Sequence, residues 1–510
     1  MRKNVLLAFV LVLVTGMTLN AQQRNPGLYV GDVFQGEMDL YDSLDWIAAN
    51  AQDGGEYSIV LGASIAASSS VLDYSGKSVT VSLKSSGETL QVSYATRSPS
   101  SSLFTVKEGV TFILEKGVEL VGRPSASRPP VTVDGGNFIM NGGAVKDSKV
   151  DHSRDWRGGG VDVVRGAFTM NDGVISGNSA GFGAGVNVGE KSTFIMNGGI
   201  ISENKGSNYG GGVFVTNNAI FTMNGGAINS NSAAYYNGGG GGVYVNGIFT
   251  LNDGIVSNNN CIDNIVKSQG NGGGVYVHGG TFVMHGGTIS NNLGRGLYIG
   301  SYSTLLSSKS SNVTMNGGVI TNNSSGGVYV SSNTFTMNKG TISKNTATSG
   351  AGVYVINGSF TMNDGEITEN TVKVYSSSNT EGGGGVHMRN SEFTMNGGVI
   401  SKNIATGETV GGGGVLVTSI FTMNGGTISG NSTTKSGGGV LVVDGSVSHG
   451  IFIKSNTAGV IYGGDAAEDK ANKADQYGHA VHTKNGSRDT TARATMALDS
   501  RKYGADGGWE

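Results

Sequence analysis

From about residue 138 onward, apolar and polar positions alternate in short runs that are too brief for an amphipathic helix. In V-Y-V runs such as 275–277, the two Val point one way and Tyr276 the other. In 421–423, Phe421 and Met423 share one side and Thr422 takes the opposite one. A period of two marks half-buried strands. The pieces recur in one order: G-G-G-V-Y-V, as at 240–245 or 272–277, then a turn and F-T-M-N, then G-G-x-I-S and an Asn, as at 421–431. The F-T-M-N piece begins at Phe138, Phe168, Phe194, Phe221, Phe249, Phe282, Val313, Phe335, Phe360, Phe393 and Phe421, with successive starts 22 to 33 residues apart. A helical-hairpin repeat keeps a near-constant length, whereas strands joined by loops tolerate such variation. The pattern predicts an all-β chain, a right-handed parallel β-helix with three short strands per coil. Phe, Met, Val and Ile would fill its interior, and each strand would pair with its equivalents above and below.

The variation falls in particular places. From the Val of G-G-G-V to the next motif Phe the gap is six to eight residues, except for Leu297 to Val313, where a serine-rich excursion intervenes. From the motif Ile to the next coil's Val it ranges from 8 (Ile289 to Leu297) to 19 (Val256 to Val275). One corner is therefore tight and another carries variable loops, the longest around 261–270 and 371–381, expected to project from one edge.

Two columns of asparagine accompany the strands. One is Asn141, Asn171, Asn197, Asn224, Asn252, Asn316, Asn338, Asn363, Asn396 and Asn424, with His285 standing in once; the other runs Asn178, Asn204, Asn231, Asn259, Asn292, Asn323, Asn345, Asn370, Asn403 and Asn431. Asn tolerates left-handed or bridging backbone at a corner, and its amide can bond the Asn of the next coil. The Gly-Gly that follows the first column supplies positive φ or close backbone approach. A ligand role is disfavoured, because an active site does not need ten copies.

The ends differ. Residues 41–51 read as one amphipathic helix that offers Leu44, Trp46 and Ile47 for packing, a cap for the open apolar end of the solenoid. Strand-like pieces at 57–61, 78–83, 103–106, 110–114 and 131–133 read as irregular early coils. Pieces at 450–453, 459–462 and 480–481 read as fading coils before a polar, Gly-rich tail from Lys484. The organisation expected is a signal peptide over 1–21, cap and early coils over 22–135, regular coils over 136–445, and fading coils with a tail over 446–510.

Composition narrows the setting. Arg2 and Lys3, an apolar run over 5–14 and a small-residue exit at Ala21 predict export by a cleaved signal peptide. Losing Arg2 and Lys3 takes the net charge from −3 to −5, too weak and of the wrong sign for a nucleic-acid partner. No later apolar run approaches the roughly 20 residues of a membrane-spanning helix. Cys261 is alone, so there is no disulfide framework. Eighty-eight glycines without a G-X-Y period, and only five prolines, argue against collagen.

The paired G-G-G-V and F-T-M-N features resemble the repeated G-G-A-I and F-x-x-N motifs of chlamydial polymorphic outer-membrane protein passengers. Here they stand as Gly211-Gly212-Val213 before Phe221 to Asn224, and as Gly438-Gly439-Val440 in the last coil, over roughly 138 to 445. The F-T-M-N-G-G-T-I-S-G-N wording and the G-G-W-E terminus are similar also to β-helix repeat proteins of host-associated spirochaetes. The resemblance implies an adhesin or surface antigen, although the barrel expected after such a passenger does not follow in this sequence.

Three readings of function remain. The first is an exported binding or adhesion protein, a single rod recognising a glycan or a host or matrix partner at the cell surface, at the outer membrane or after secretion. Its best candidate surface is the middle position of the first strand, Phe214, Tyr244, Tyr276, Tyr298, Tyr329 and Tyr354. If the flanking Val face inward, these rings form an outward stripe about 24 Å long, suited to sugar rings; rings stacked on a sheet also serve as plain scaffold. The second is an enzyme of the pectin lyase-like fold, a polysaccharide lyase or glycoside hydrolase, which needs gathered carboxylates and a base. Asp172, Asp253 and Asp364 recur at one position but are spread along the axis; Arg165, Arg295 and Arg389 are isolated, and His278 and His285 lack a third metal ligand. No catalytic residue, metal or cofactor is therefore assigned. The third is a purely structural surface rod. An ice- or mineral-like face would use Thr169, Thr222, Thr250, Thr336, Thr361, Thr394 and Thr422, a column interrupted by Ile195 and Val283.

Overall fold

The computed structural model describes residues 24–96, 100–150, 157–234, 239–261, 272–300, 310–373, 382–407, 411–418 and 420–443, and the backbone of the short strands Gly450–Ile453, Gly459–Ile461, Lys473–Ala474, Val481–Lys484, Thr495–Ala497 and Gly508–Trp509. The expected signal peptide, most of the loops at 261–270 and 371–381, and most of the tail lie outside these residues.

The chain winds into a parallel β-helix. In one coil the strands are Val243–Val245, Ile248–Leu251 and Ile255–Ser257, and each pairs in parallel with its counterpart one coil on: Val243 with Val275, Phe249 with Phe282, Val256 with Ile289. The alternation seen in the sequence decides which side faces in. Val243 and Val245, Phe249 and Leu251, and Val256 are sealed inside the tube. Identical residues then meet identical residues. The motif Phe rings stack from Phe112 through Phe282 at centroid separations of 4.6–5.6 Å, and again from Phe335 to Phe421 at 4.9–5.2 Å. Val313 interrupts the stack. Each buried ring contributes about 2–3 kcal/mol of transfer free energy.

Many coils add a fourth strand that the sequence pattern did not resolve. It follows the second Asn, as Ser179–Phe182, Lys205–Tyr209, Ser232–Ala233 and Asn260–Cys261, and later as Thr346–Ala347, Thr371–Lys373, Ile404–Thr406 and Ser432–Thr433. These make two short parallel sheets, with no such strand in the two coils between them. Ala180, Ala233 and Cys261, and Ala347, Val372 and Ala405, are their buried sides.

The two Asn columns do join neighbouring coils, in different surroundings. The inner column is fully buried. The Asn231 backbone N and Nδ2 both donate to Asn259 Oδ1 (3.0 and 3.1 Å), and Asn259 Nδ2 donates to the Ile228 carbonyl (2.9 Å) and to Asn292 Oδ1 (3.2 Å). Every polar atom of such an amide is used, which a buried amide requires. The outer column is exposed or half-buried and makes one bond at most steps, such as Asn224 Nδ2 to Asn197 Oδ1 at 2.9 Å. The expectation of left-handed backbone at Asn needs correcting, because no Asn of either column has positive φ; at the inner column it is the neighbour that does. Positive φ falls one residue earlier, on Glu203, Ser230, Asn258, Asn291, Asn322, Lys344, Glu369 and Lys402. The inner Asn bonds hold that corner in a conformation that is unfavourable for a residue with a Cβ. Beside the outer column the second Gly does adopt positive φ. A Cβ on Gly226 would lie 2.6 Å from the Gly199 carbonyl oxygen, so side chain and conformation are both excluded there.

The amino-terminal end carries the expected helix, Leu40–Asn50, started by Asp39 accepting from the Asp42 backbone N at 2.9 Å. Its Leu40 and Ile47 are buried on the first coils, with Leu44 and Trp46 packed beside them. Strand Gly27–Val30 runs antiparallel to Gly55–Leu61, and at the far end Gly508–Trp509 runs antiparallel to Val481–Lys484. A strand of reversed direction therefore lies on the first coil and on the last described one.

Candidate functional site

The aromatic column is assembled by the first strand of six consecutive coils. Its members are register partners: Phe214 with Tyr244, Tyr244 with Tyr276, Tyr276 with Tyr298, Tyr298 with Tyr329, and Tyr329 with Tyr354. The flanking Val face the tube, so the rings stand on its outer side, as the alternation demands. From Phe214 to Tyr329 neighbouring rings stack at 4.7–5.2 Å, and Tyr329 meets Tyr354 edge-on at 5.4 Å.

Standing outside the tube does not make these rings an open stripe. Phe214, Tyr244, Tyr276, Tyr298 and Tyr354 are only 2–7 % exposed. Two things cover them. The glycine corner that precedes each strand folds against the rings: a Cβ on Gly239 would touch Tyr244 at 2.7 Å, and one on Gly350 would meet Tyr354 at 2.5 Å. Phe182 and Tyr209, from the fourth strands, pack on Phe214 and Tyr244 at 5.4 and 4.6 Å. Burial raises the Tyr244 and Tyr276 hydroxyls well above their ordinary pKa, most of all through lost hydration. The column is a second core outside the first.

One member departs from this. Tyr329 is only half-buried, and it lies where the fourth strand is missing. The Arg295 guanidinium sits 4.5 Å from the Tyr329 ring centre and 5.6 Å from that of Tyr354, with Leu293 exposed nearby on the chain. This notch is the part of the column that solvent reaches best. The sequence held a signal for it: the gaps Ile289 to Leu297 and Ile320 to Val328 are both eight residues, too short for a fourth strand.

The column continues beyond the aromatic positions, and there sequence reasoning missed two buried ionisable groups. Upstream of Phe214 come Asn187 and Asp162. Asp162 accepts from Asn187 Nδ2 at 2.7 Å, and burial pushes its carboxyl up to about 6, against the pull of that bond and of Arg128 and Arg157. Downstream of Tyr354 comes His387, stacked on it at 4.6 Å and bonded through Nδ1 to Ser349 Oγ at 2.7 Å. Burial, helped by Arg389 and Arg295, lowers the His387 pKa to about 3. Both are sealed within the second core.

The carboxylates considered for an enzyme have local roles. Asp172, Asp253 and Asp364 each accept from the backbone N of the following Gly at 2.7–2.8 Å. Arg165 pairs with Asp134. His278 stacks against Tyr244 and Tyr276, and His285 takes the place of an outer-column Asn beside Asn316. An open pocket beside Arg165 is lined also by Val164, Glu190 and Lys191. Among the described residues no three His, Cys, Asp or Glu gather as metal ligands, and no helix is long and apolar enough to cross a membrane.

No family model, curated protein or solved structure matches this chain.

Proposed function

We propose that the chain is an exported β-helical rod that works at a cell surface or after secretion as a binding or adhesion protein, recognising a glycan or a host or matrix partner. The observation that carries this reading is the division of each coil into a constant and a variable part. From the motif Phe to the inner Asn every regular coil has one length and one set of ladder bonds. Variation in length is confined to the corners on either side of the first strand, so recognition loops change there without disturbing the core. The Tyr329 notch opens toward one of these corners and supplies the contact that the buried members of the column do not.

The experiment compares Tyr329→Ala with Tyr276→Ala in binding to arrayed glycans and matrix proteins, together with surface proteolysis of intact cells. Tyr329→Ala is expected to weaken binding at least about tenfold while leaving stability within about 1 kcal/mol. Tyr276→Ala is expected to destabilise and to leave the affinity of the folded fraction unchanged. Unaltered binding by the Tyr329 variant sinks the notch, and protection from protease on intact cells sinks surface display.

A further inference from the structure

Charge is unevenly placed along this chain. Between Asp263 and Asp364 lie a hundred residues, 264 to 363, without one Asp or Glu, although 37 acids in 510 residues would put about seven there. The same stretch carries five cations, Lys267, Arg295, Lys309, Lys339 and Lys344, inside a chain whose net charge is −3. Folded, it makes the coils that begin with the strands Val275–Val277, Leu297–Gly300 and Val328–Ser331. These are the coils of the Tyr329 notch. Carboxylates return on the next coil, where Glu369 meets Lys344 at 3.8 Å.

One of these cations is set against the half-buried ring. The Arg295 guanidinium lies over Tyr329, 4.5 Å from the ring centre, and 5.6 Å from that of Tyr354. Gly326 on the next corner makes room for it: a Cβ there would lie 2.9 Å from Arg295 Nη1. Tyr298 stacks on Tyr329 at 4.7 Å, and Tyr354 meets it edge-on at 5.4 Å. With a tyrosine ring and a guanidinium both within 4.7 Å of its centre, Tyr329 is a poor platform for a sugar ring. What the notch presents instead is an oriented cation. Stacking occupies the flat sides of a guanidinium and leaves its N–H edge for a planar oxyanion. The corners 291–296, 322–327 and 344–352 hold no acid, and Leu293, Ser324, Thr346 and Thr348 are exposed on them.

We propose that the notch selects an anionic sugar, a glycan unit bearing a carboxylate or a sulfate, with Arg295 reading the charge and Tyr329 holding Arg295 in place. This rests on the notch being the recognition site, and it narrows the partner from any glycan or matrix protein to an acidic glycan. Three physical points select that ligand. The acid-free coils do not repel it, and charges beyond about 8 Å are screened at physiological ionic strength, so the local balance outweighs the net negative charge of the whole chain. Exposed hydroxyls and ring edges beside one guanidinium match a sugar unit, whose own hydroxyls pair with them. A neutral sugar gains nothing from Arg295 and finds the ring face of Tyr329 already taken.

Dextran, carboxymethyl dextran and dextran sulfate share a backbone and differ in charge, and their affinities for the chain test the proposal. At least about tenfold tighter binding of a charged polymer than of dextran is expected, the better of the two telling carboxylate from sulfate. Arg295→Gln is expected to remove that preference. Arg295→Lys keeps the charge without the fork and is expected to retain only part of it, which carries the test if Arg295→Gln fails to fold. Lys339→Gln loses the same charge on the same coils, at the corner between the second and third strands, and is expected to leave the preference unchanged. Equal affinity for the three polymers, an equal loss in Lys339→Gln, or tighter binding of poly-glutamate than of either charged dextran overturns the proposal. If Tyr329→Ala weakens binding to arrayed glycans or matrix proteins and Arg295→Gln does not, the notch stands and the anionic ligand falls; if neither variant does, both fall.

Discussion

Before residue 147 the Phe stack has begun at Phe112, but most polar ties between neighbouring coils are contacts that occur once. Asp134 is gripped by Lys107 at 2.6 Å and by Arg165 at 2.6 Å, and Lys146 reaches Glu119 at 2.7 Å. The Lys107 bond, joined by that of Arg165 and opposed by burial, holds the Asp134 carboxyl below its usual range. At Glu119 burial raises the pKa, and the Lys146 and Gln91 bonds more than offset it. Tyr94 donates to the Pro129 carbonyl and accepts from the Leu103 backbone N. After residue 157 the ties are periodic: Phe on Phe, Met over Met, Asn to Asn. The early coils depend on charge and shape at individual sites, and the regular coils on neutral groups that recur. A neutral ladder tolerates repetition because each rung is at once donor and acceptor. A ladder of like charges would repel itself at this spacing, so ion pairs must alternate in sign, as they do along Lys107, Asp134 and Arg165.

The largest effect is expected from breaking an inner rung. Asn259→Ala removes both bonds from Asn231 and the Nδ2 bonds to the Ile228 carbonyl and Asn292 Oδ1, sparing only the backbone N bond to Asn292, and leaves buried groups above and below without partners. A loss of about 3–5 kcal/mol in urea unfolding is expected; a loss under about 1 kcal/mol would mean that the strand ladders alone hold the corner.

The buried ionisable groups come next. The folded pKa of His387 lies below its unfolded value, so its contribution is present above the ordinary 6.5 and is lost as pH falls toward about 3. Relative to His387→Leu, the wild type is expected to lose about 2–3 kcal/mol between pH 7.5 and pH 4.5. Asp162 has the opposite sign. Its folded pKa is raised, so its contribution is present below the ordinary 3.8 and is lost as pH rises through about 6. Asp162→Asn is therefore expected to gain on the wild type over that window. Parallel stability profiles for wild type and variants would rule out this account.

The smallest effect is expected in the early coils. Asp134→Asn loosens a solvent-facing ion network, and its cost, read at low and high salt, is expected to stay under about 1 kcal/mol and to vanish as salt rises. A cost comparable to that of Asn259→Ala would erase the distinction between the two regions.

Much of this was legible because the information is periodic. The strand positions, the inward Phe, the tight and variable corners and the capping helix follow from alternation and spacing alone, which act within a few residues. The membership and register of the aromatic column were legible for the same reason. Its burial was not, because the cover comes from glycine corners and fourth strands whose position depends on the preceding turn of the solenoid. Asp162 and His387 escaped notice as single residues in a column read for its aromatics.

The sequence by itself determined a parallel β-helix whose apolar sides fill a tube and whose coils repeat. Only the tertiary structure decided which outward side chains meet water. That choice depends on what lies against a residue from segments distant along the chain: the second layer seals Tyr276, and the missing strand opens Tyr329. Alternation states which side of a strand a residue occupies, and burial is set by whatever else reaches that side.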